Sequence, residues 1–152
     1  MNLSYKQLVQ LVLGYLAIRN RSEQEIRFYL GKKTTDDQLI DQVITYLTDH
    51  SLINDQTFGQ QWAEARVRSL KGDIQITQEL LHKGLSRESI RQILDQVDPD
   101  SWLMAMDTLV AKKSAKYAQL NTYQQKGKIY QLLAQHGYSS KLIDAFLRRK
   151  VE

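Results

Sequence analysis

Lysines and arginines are the main candidate functional side chains of this sequence. Their positive charge would allow them to bind an anionic partner. The chain has 152 residues and a net charge of +4, from 21 Lys and Arg against 17 Asp and Glu. Residues 1–100 carry 12 basic and 14 acidic side chains, a net of −2, whereas residues 101–152 carry 9 and 3, a net of +6. This asymmetry favours nucleic acid or an acidic protein surface as partner, and charge that merely keeps a helical surface in solution explains it equally well.

Two groups of basic residues are the candidate binding sites. Arg66, Arg68 and Lys71 cluster at the end of the fourth predicted helix, where an Arg68–Glu64 pair and a helix C-terminus would also explain them. The second group surrounds the end of the seventh predicted helix and the C-terminus: Lys112, Lys113, Lys116, Lys126, Lys128, Arg148, Arg149 and Lys150. Four tyrosines near these lysines could stack on bases, but positions in the core are favoured for them: Tyr117, Tyr123, Tyr130 and Tyr138.

Catalytic and metal-binding sets are missing from the sequence. The chain has no cysteine, which excludes thiol chemistry and cysteine-ligated zinc. His50, His82 and His136 fall on different predicted helices, and acidic residues such as Asp36 and Asp37 fit the start of a helix better than an acid–base pair. Neither a glycine-rich phosphate loop nor a Gly-x-Ser-x-Gly turn is present. We therefore expect a protein that is not an enzyme and that has no cofactor, metal ion or small-molecule substrate.

A pattern of apolar residues recurs three times along the chain, at spacings of 50 and 53 residues. In each copy an Ile precedes a Leu by four residues, and a second Ile follows that Leu by ten: Ile26, Leu30 and Ile40; Ile76, Leu80 and Ile90; Ile129, Leu133 and Ile143. Gly84 and Gly137 occupy one equivalent position, where a left-handed glycine can end a helix. Thr34 stands there in the first copy, so its turn is expected to differ.

These repeats predict an all-α protein, a tandem array of three three-helix repeats that is elongated and curved. The predicted repeats are residues 1–54, 55–97 and 98–152. The nine predicted helices cover 3–20, 22–33, 36–50, 55–70, 73–83, 86–96, 99–119, 122–136 and 139–150. Capping boxes are predicted at Ser22–Glu25 and at Thr122–Gln125, and Asp98 is predicted to cap a helix that begins at Pro99.

The apolar runs are too short for a membrane span, since the longest is Leu11-Val12-Leu13. The first residues lack the basic region and the long apolar core of a secretory signal. We expect no membrane contact and a location in the reducing cytoplasm.

Several ordered signatures make the sequence resemble the RecX family of bacterial recombination regulators. They run over essentially the whole chain and are most specific between Asp55 and Ile90. The matching residues are Tyr15-Leu16-Ala17, Arg21 to Arg27, Leu52 to Phe58, Trp62, Arg66, Lys71-Gly72, Ile76, Glu79-Leu80, Lys83-Gly84-Leu85-Ser86, Ile90 and Gly137-Tyr138-Ser139.

The resemblance implies a fold of tandem three-helix repeats and a role as a regulator of RecA. RecX proteins bind RecA and the RecA–DNA filament and restrain ATPase and strand-exchange activity, and some also bind DNA, so weak direct contact with DNA is possible here. Of the matching positions, Arg66, Lys71 and Lys83 are the exposed basic candidates. The alternative is a helical nucleic-acid-binding protein that acts without RecA, with its affinity supplied by Lys112–Lys128 and Arg148–Lys150.

Overall fold

The computed structural model describes residues 3–151, and all regular elements within that range are α-helices. The helices are α1 Tyr5–Ile18, α2 Glu23–Gly31, α3 Asp37–Asp49, α4 Asp55–Arg68, α5 Asp73–His82, α6 Arg87–Asp95, α7 Pro99–Ala111, α8 Ser114–Tyr117, α9 Thr122–Gln135 and α10 Ser140–Val151. They pack as three successive groups, α1–α3, α4–α6 and α7–α10. The predicted all-α array of three helical repeats is confirmed.

The prediction of a seventh helix over 99–119 is wrong for the second half of that range. Helix α7 ends at Ala111, and the one-turn helix α8 follows after a break at Lys112 and Lys113. Burial explains the break, because Leu109 and Val110 lie in the core whereas residues 111–116 are all exposed. A helix continued in the same direction would gain no further apolar contact in this segment.

The cap signals fix most of the helix starts. The capping box at Ser22 and Glu25 forms as predicted, and Asp98 accepts a hydrogen bond from the backbone of Asp100 ahead of α7. The box predicted to start at Thr122 is wrong by one residue, because Asn121 is the N-cap of α9 and Gln124 completes the box. Asparagine is the stronger N-cap of the two adjacent candidates.

Left-handed glycines end helix α5 in the second repeat and helix α9 in the third. Gly84 has φ +93° and Gly137 has φ +87°, so both predicted helix endings are confirmed. In each turn the next residue donates its backbone N–H to the carbonyl five residues earlier, Leu85 to Leu80 and Tyr138 to Leu133, both at 3.1 Å. The turn at Thr34 differs, as expected, because Thr34 donates its own N–H to the carbonyl of Leu30 at 3.0 Å.

Two separate hydrophobic cores hold the array together. The first lies entirely within the first repeat and contains Leu8, Val9, Val12, Ile26, Leu30, Ile40, Val43, Ile44, Leu47 and Ile53. The second runs without interruption through the second and third repeats, from Phe58 to Phe146. The second and third repeats therefore form one packed body, to which the first is joined differently.

Polar contacts join the first repeat to the second. They are the side-chain pair Asn20–Gln61, the backbone N–H of Glu23 donating to Asp55 at 2.8 Å, the Gln24 amide donating to the carbonyl of His82 at 2.9 Å, and the Lys83–Glu25 ion pair at 3.2 Å. The whole chain exposes 9792 Å² of accessible surface. A compact monomer of 17.7 kDa would expose only ~7900 Å², so the array is elongated.

Candidate partner-binding surfaces

Arg66, the first candidate basic residue, is engaged inside the second repeat. Its guanidinium donates to both carboxylate oxygens of Glu79 on α5, at 2.9 and 2.7 Å. Trp62 and Gln75 donate to the same carboxylate, at 2.9 and 3.1 Å. This network ties α4 to α5, and the Arg66 side chain keeps 30% of its exposure. A partner contact by Arg66 stays a prediction, and any such contact would share the guanidinium with Glu79.

Lys83 lies at the junction of the first and second repeats. Its ammonium is 3.2 Å from the carboxylate of Glu25 and 5.2 Å from the centre of the Trp62 ring. Arg19 contacts the same Glu25 carboxylate at 2.6 Å. Lys83 thus joins the first repeat to the second, whereas the contacts of Arg66 with Glu79 stay within the second repeat.

The two glutamates of these networks have lowered pKa values. Burial raises the pKa of the Glu79 carboxyl, but hydrogen bonds from Arg66, Gln75 and Trp62 outweigh burial and hold it below the ordinary value. Burial likewise raises the pKa of Glu25, and contacts with Arg19, the Ser22 backbone and Lys83 lower it further than burial raises it. Both side chains are therefore charged acceptors at neutral pH.

Arg68 is the last residue of α4, and Lys71 lies in the connection to α5. The Arg68 side chain is exposed and lines a cleft of about 760 Å³ between α4, the end of α6 and α7. The alternative of an Arg68–Glu64 ion pair does not form among residues 3–151. Lys71 is half-buried, and its backbone N–H donates to the carbonyl of Arg66 at 3.1 Å. Arg68 is thus the more accessible of the two.

The lysines around the break after α7 and in α9 form an exposed basic group. Lys112, Lys113 and Lys116 are exposed, as are Lys126 and Lys128 on α9. Within the described part of the chain, none of these five lysines is in an ion pair. Tyr123, nearby in the first turn of α9, is 86% exposed, and of the four tyrosines it is the one most open to a partner.

The other tyrosines serve the fold. Tyr138 is 2% exposed and packs edge-on against Trp102, with ring centres 6.3 Å apart. Tyr117 packs against the second core, and the Tyr130 hydroxyl hydrogen-bonds the Ser140 hydroxyl at 2.8 Å. The core interpretation is therefore right for Tyr138 and Tyr117.

The basic C-terminal residues face in different directions. Arg149 forms an ion pair with Asp100 at 3.0 Å, and Lys150 approaches Asp107 at 3.9 Å, which fastens α10 to α7. Arg148 lines a groove on another side of α10, together with residues of α5, α6 and α7. The sequence signal did not separate these three adjacent cations.

The histidines lie where helices end. The rings of His50 and His136 contact the carbonyls of Tyr46 and Leu132 through Nδ1, at 2.9 and 3.1 Å, and His82 is the last residue of α5. Residues 3–151 contain no cluster of three or more metal-ligating side chains. Among the described helices, none has the length and apolarity needed to cross a lipid bilayer.

Three successive helical units, which share helix caps and core spacing, define an all-α helical-repeat protein. Family models for the first, second and third three-helix domains of RecX match residues 10–47, 54–94 and 105–147, in that order. The chain belongs to the RecX family, a family of regulatory proteins.

Curated relatives carry the name "Regulatory protein RecX". The relative from Oceanobacillus iheyensis is 29% identical over 140 residues, which are 91% of this chain and 52% of that protein. The relative from Listeria monocytogenes serotype 4a is 34% identical over 134 residues, 86% of this chain and 49% of that protein. The chain thus spans about half the length of these relatives.

Solved structures share the fold. The crystal structure of RecX from Lactobacillus salivarius superposes with a TM-score of 0.87 at 23% identity, over 95% of each chain. A second RecX crystal structure gives a TM-score of 0.79 at 23% identity, over 95% of this chain and 71% of that one. At this identity the comparison establishes the arrangement of helices alone.

Proposed function

We propose that this chain regulates RecA by binding RecA and its nucleoprotein filament on DNA, and that it mostly inhibits the ATPase, recombinase and strand-exchange activities. The observation that carries the proposal is the match of all three repeats, in order, to the three RecX domains. Such a role lies in DNA repair and has its place in the cytoplasm.

The mechanism we propose is physical occupancy. A curved helical array that contacts neighbouring RecA protomers hinders the movements needed for ATP turnover and strand exchange. The junction between Glu25 and Lys83 is polar, so the first repeat can adjust its angle at a smaller cost than repeats that share an apolar core. This adjustment lets one chain follow the helical path of a filament, and no catalytic step, cofactor or small-molecule substrate is needed.

The decisive experiment is a titration of this protein into RecA filaments on single-stranded DNA. We expect DNA-dependent ATP hydrolysis by RecA to fall as the protein is added, and strand exchange to fall with it. An equal concentration of an unrelated protein of similar size and charge is the control. An unchanged hydrolysis rate together with unchanged filament stability would contradict the proposal.

The second candidate function is nucleic-acid binding that does not depend on RecA. Exposed lysines without ion pairs among the described residues favour it, namely Lys112, Lys113 and Lys116. Arg66, Lys83 and Arg149 are by contrast paired with carboxylates. Tight, salt-sensitive binding to bare DNA without any effect on RecA would favour this function over the first.

A further inference from the structure

A groove of about 540 Å³ lies between α6 and α10, and it has a basic rim on each side. Arg87 and Arg91 line it from α6, four residues apart, and Lys141 and Arg148 line it from α10, seven residues apart. Both spacings place the two members of a pair on one face of their helix. Four positive charges therefore converge from two helices of different repeats.

These four cations form no ion pair with another described residue. All four side chains are exposed, and within residues 3–151 none of them is in an ion pair, whereas Arg149 pairs with Asp100. Two carboxylates also line the groove. Asp73 is engaged there, because its Oδ1 accepts the backbone N–H of Ser139 at 2.8 Å, and Asp95 is exposed.

The remaining lining of the groove is mainly apolar. Seven of its residues are uncharged and apolar: Ile90, Leu94, Val97, Pro99, Trp102, Leu142 and Ala145. Leu94 and Leu142 are half-buried, so part of this surface faces the groove. An occupant that fills it must therefore bring both apolar side chains and negative charge.

We infer that the groove between α6 and α10 binds an acidic amphipathic segment of a protein partner. Acidic side chains on such a segment contact the two basic rims, and its apolar side chains cover the floor, in the manner of a helix bound in a groove. The proposal goes beyond regulation of RecA, because binding of such a segment can be measured on this chain without RecA.

A nucleic-acid strand fits the groove less well. Its bases would need an exposed aromatic surface to stack on. The aromatic residue of the groove, Trp102, is only 5% exposed. The apolar floor would thus stay uncovered, and the binding energy would come from the rims alone.

The test measures binding of fluorescent probes to the isolated full chain, in the absence of RecA and of DNA filaments. The main probe is a synthetic peptide of about twelve residues, ~18 Å long as a helix, with Glu on one face and Leu on the other. The second probe has Ser in place of Leu, and the third is an oligothymidine of equal charge. We expect the first probe to bind at least about tenfold more tightly than either of the others.

Two variants locate the site. The double variant Arg91→Glu, Arg148→Glu should weaken binding of the main probe about tenfold or more. The control Lys6→Glu reverses an exposed charge on α1 and should leave binding of the probe unchanged. Ala145→Arg adds a positive charge but fills the groove between Lys141 and Arg148. This substitution should also weaken binding of the peptide, because it blocks the groove. If the attraction were purely electrostatic, the added charge would instead strengthen binding. Thermal melting confirms that each variant is folded.

Three results would overturn the inference: tighter peptide binding by Ala145→Arg, equal loss in Lys6→Glu, or binding of the oligothymidine at least as tight as that of the peptide. The last of these would assign the groove to nucleic acid. None of them bears on whether the chain affects ATP hydrolysis by RecA, so this inference and the proposed function can fail separately.

Discussion

Gly72 and Gly137 lie in backbone contact across the junction between the second and third repeats. Gly72 donates its N–H to the carbonyl of His136, and Ile74 donates to the carbonyl of Gly137, both at 2.9 Å. In the first repeat the position of Gly72 is held by Ser22, whose hydroxyl caps its own helix. Helix α5 has no side-chain cap, so its first N–H groups are satisfied by the next repeat instead. This exchange brings the two backbones together and allows the repeats to share one core.

A side chain at position 72 should break this contact. In Gly72→Ala the new Cβ would overlap the backbone of Gly137 and Tyr138, which cannot move away as a flexible side chain would. We expect the free energy of unfolding to fall by about 2–3 kcal/mol, measured by denaturant titration. The control is Gly127→Ala, in the middle of α9 with open space around it, which should gain about 1 kcal/mol. Equal effects of the two substitutions would show that the contact is unimportant.

The Tyr138 hydroxyl should be dispensable for stability. It is buried without a hydrogen-bond partner among the described residues, and burial, with a smaller contribution from Asp73, raises the pKa of Tyr138 to about 12. Tyr138→Phe keeps the ring against Trp102 and removes the unsatisfied hydroxyl. We therefore expect the free energy of unfolding, measured by denaturant titration, to rise by about 1 kcal/mol.

The matched substitution is Tyr130→Phe, which removes a hydroxyl that is hydrogen-bonded to Ser140. It should lower the free energy of unfolding by about 0.5 kcal/mol or leave it unchanged, because that site is partly exposed. A loss of stability in Tyr138→Phe would mean that the buried hydroxyl has a partner, and the prediction would then be wrong.

The Glu79 network should make stability fall in acid. Because the folded pKa of Glu79 lies below the ordinary value of 4.5, its stabilisation is complete above that value and is lost as pH falls through the folded pKa. Glu25 acts with the same sign. We expect Glu79→Gln to lower the free energy of unfolding at neutral pH by about 1–2 kcal/mol and to flatten its decline below about pH 5, measured by denaturant titrations across pH.

Glu64→Gln serves as the control, since Glu64 is an exposed residue of α4 that forms no ion pair within the described residues. It should leave the pH profile unchanged. Asp55 contributes with the opposite sign, because burial raises its pKa, and this contribution is the same in both variants. A profile of Glu79→Gln that parallels the unsubstituted protein would refute the assignment.

The repeat and the helix boundaries could be predicted because their causes are local. Caps such as Ser22 and Asp98, and the Ile–Leu–Ile spacing, act within a few residues of one another. The end of α7 at Ala111 could not be predicted in this way, since it depends on where the core stops in space. Leu70 and Ser51 adopt left-handed φ angles of 65° and 56° although neither is glycine, so their residue types do not predict those turns.

The candidate site was harder to predict because it is assembled from distant helices. Arg66 and Lys71 were selected as exposed cations, but the partner of Arg66 lies on another helix, 13 residues away. Arg91 and Arg148 are far apart in sequence and line one groove. The spacing of basic residues within α6 and within α10 can be read from the sequence. The sequence does not show that these two helices lie beside one groove. Net charge predicts only that the last third of the chain is basic.

The exposed lysines after α7 supply the last prediction, which concerns direct DNA contact. Lys112, Lys113 and Lys116 are exposed and form no ion pair among the described residues, so each can contact a phosphate. If they contact duplex DNA, log K falls with log salt at a slope of about −0.9 for each phosphate neutralised. Replacing all three by Gln should then reduce the slope by as much as about 2.7, because three fewer counterions are released.

The measurement is fluorescence anisotropy of a labelled duplex over a series of salt concentrations, with Lys6→Gln as a control that removes one exposed charge far along the chain from this group. The single substitution should leave the slope unchanged, because Lys6 lies on α1, in the first repeat. A triple variant with the slope of the unsubstituted protein would show that these lysines do not face phosphate. DNA contact would then have to come from another basic surface, of which the rims at Arg87, Arg91, Lys141 and Arg148 are the next to test.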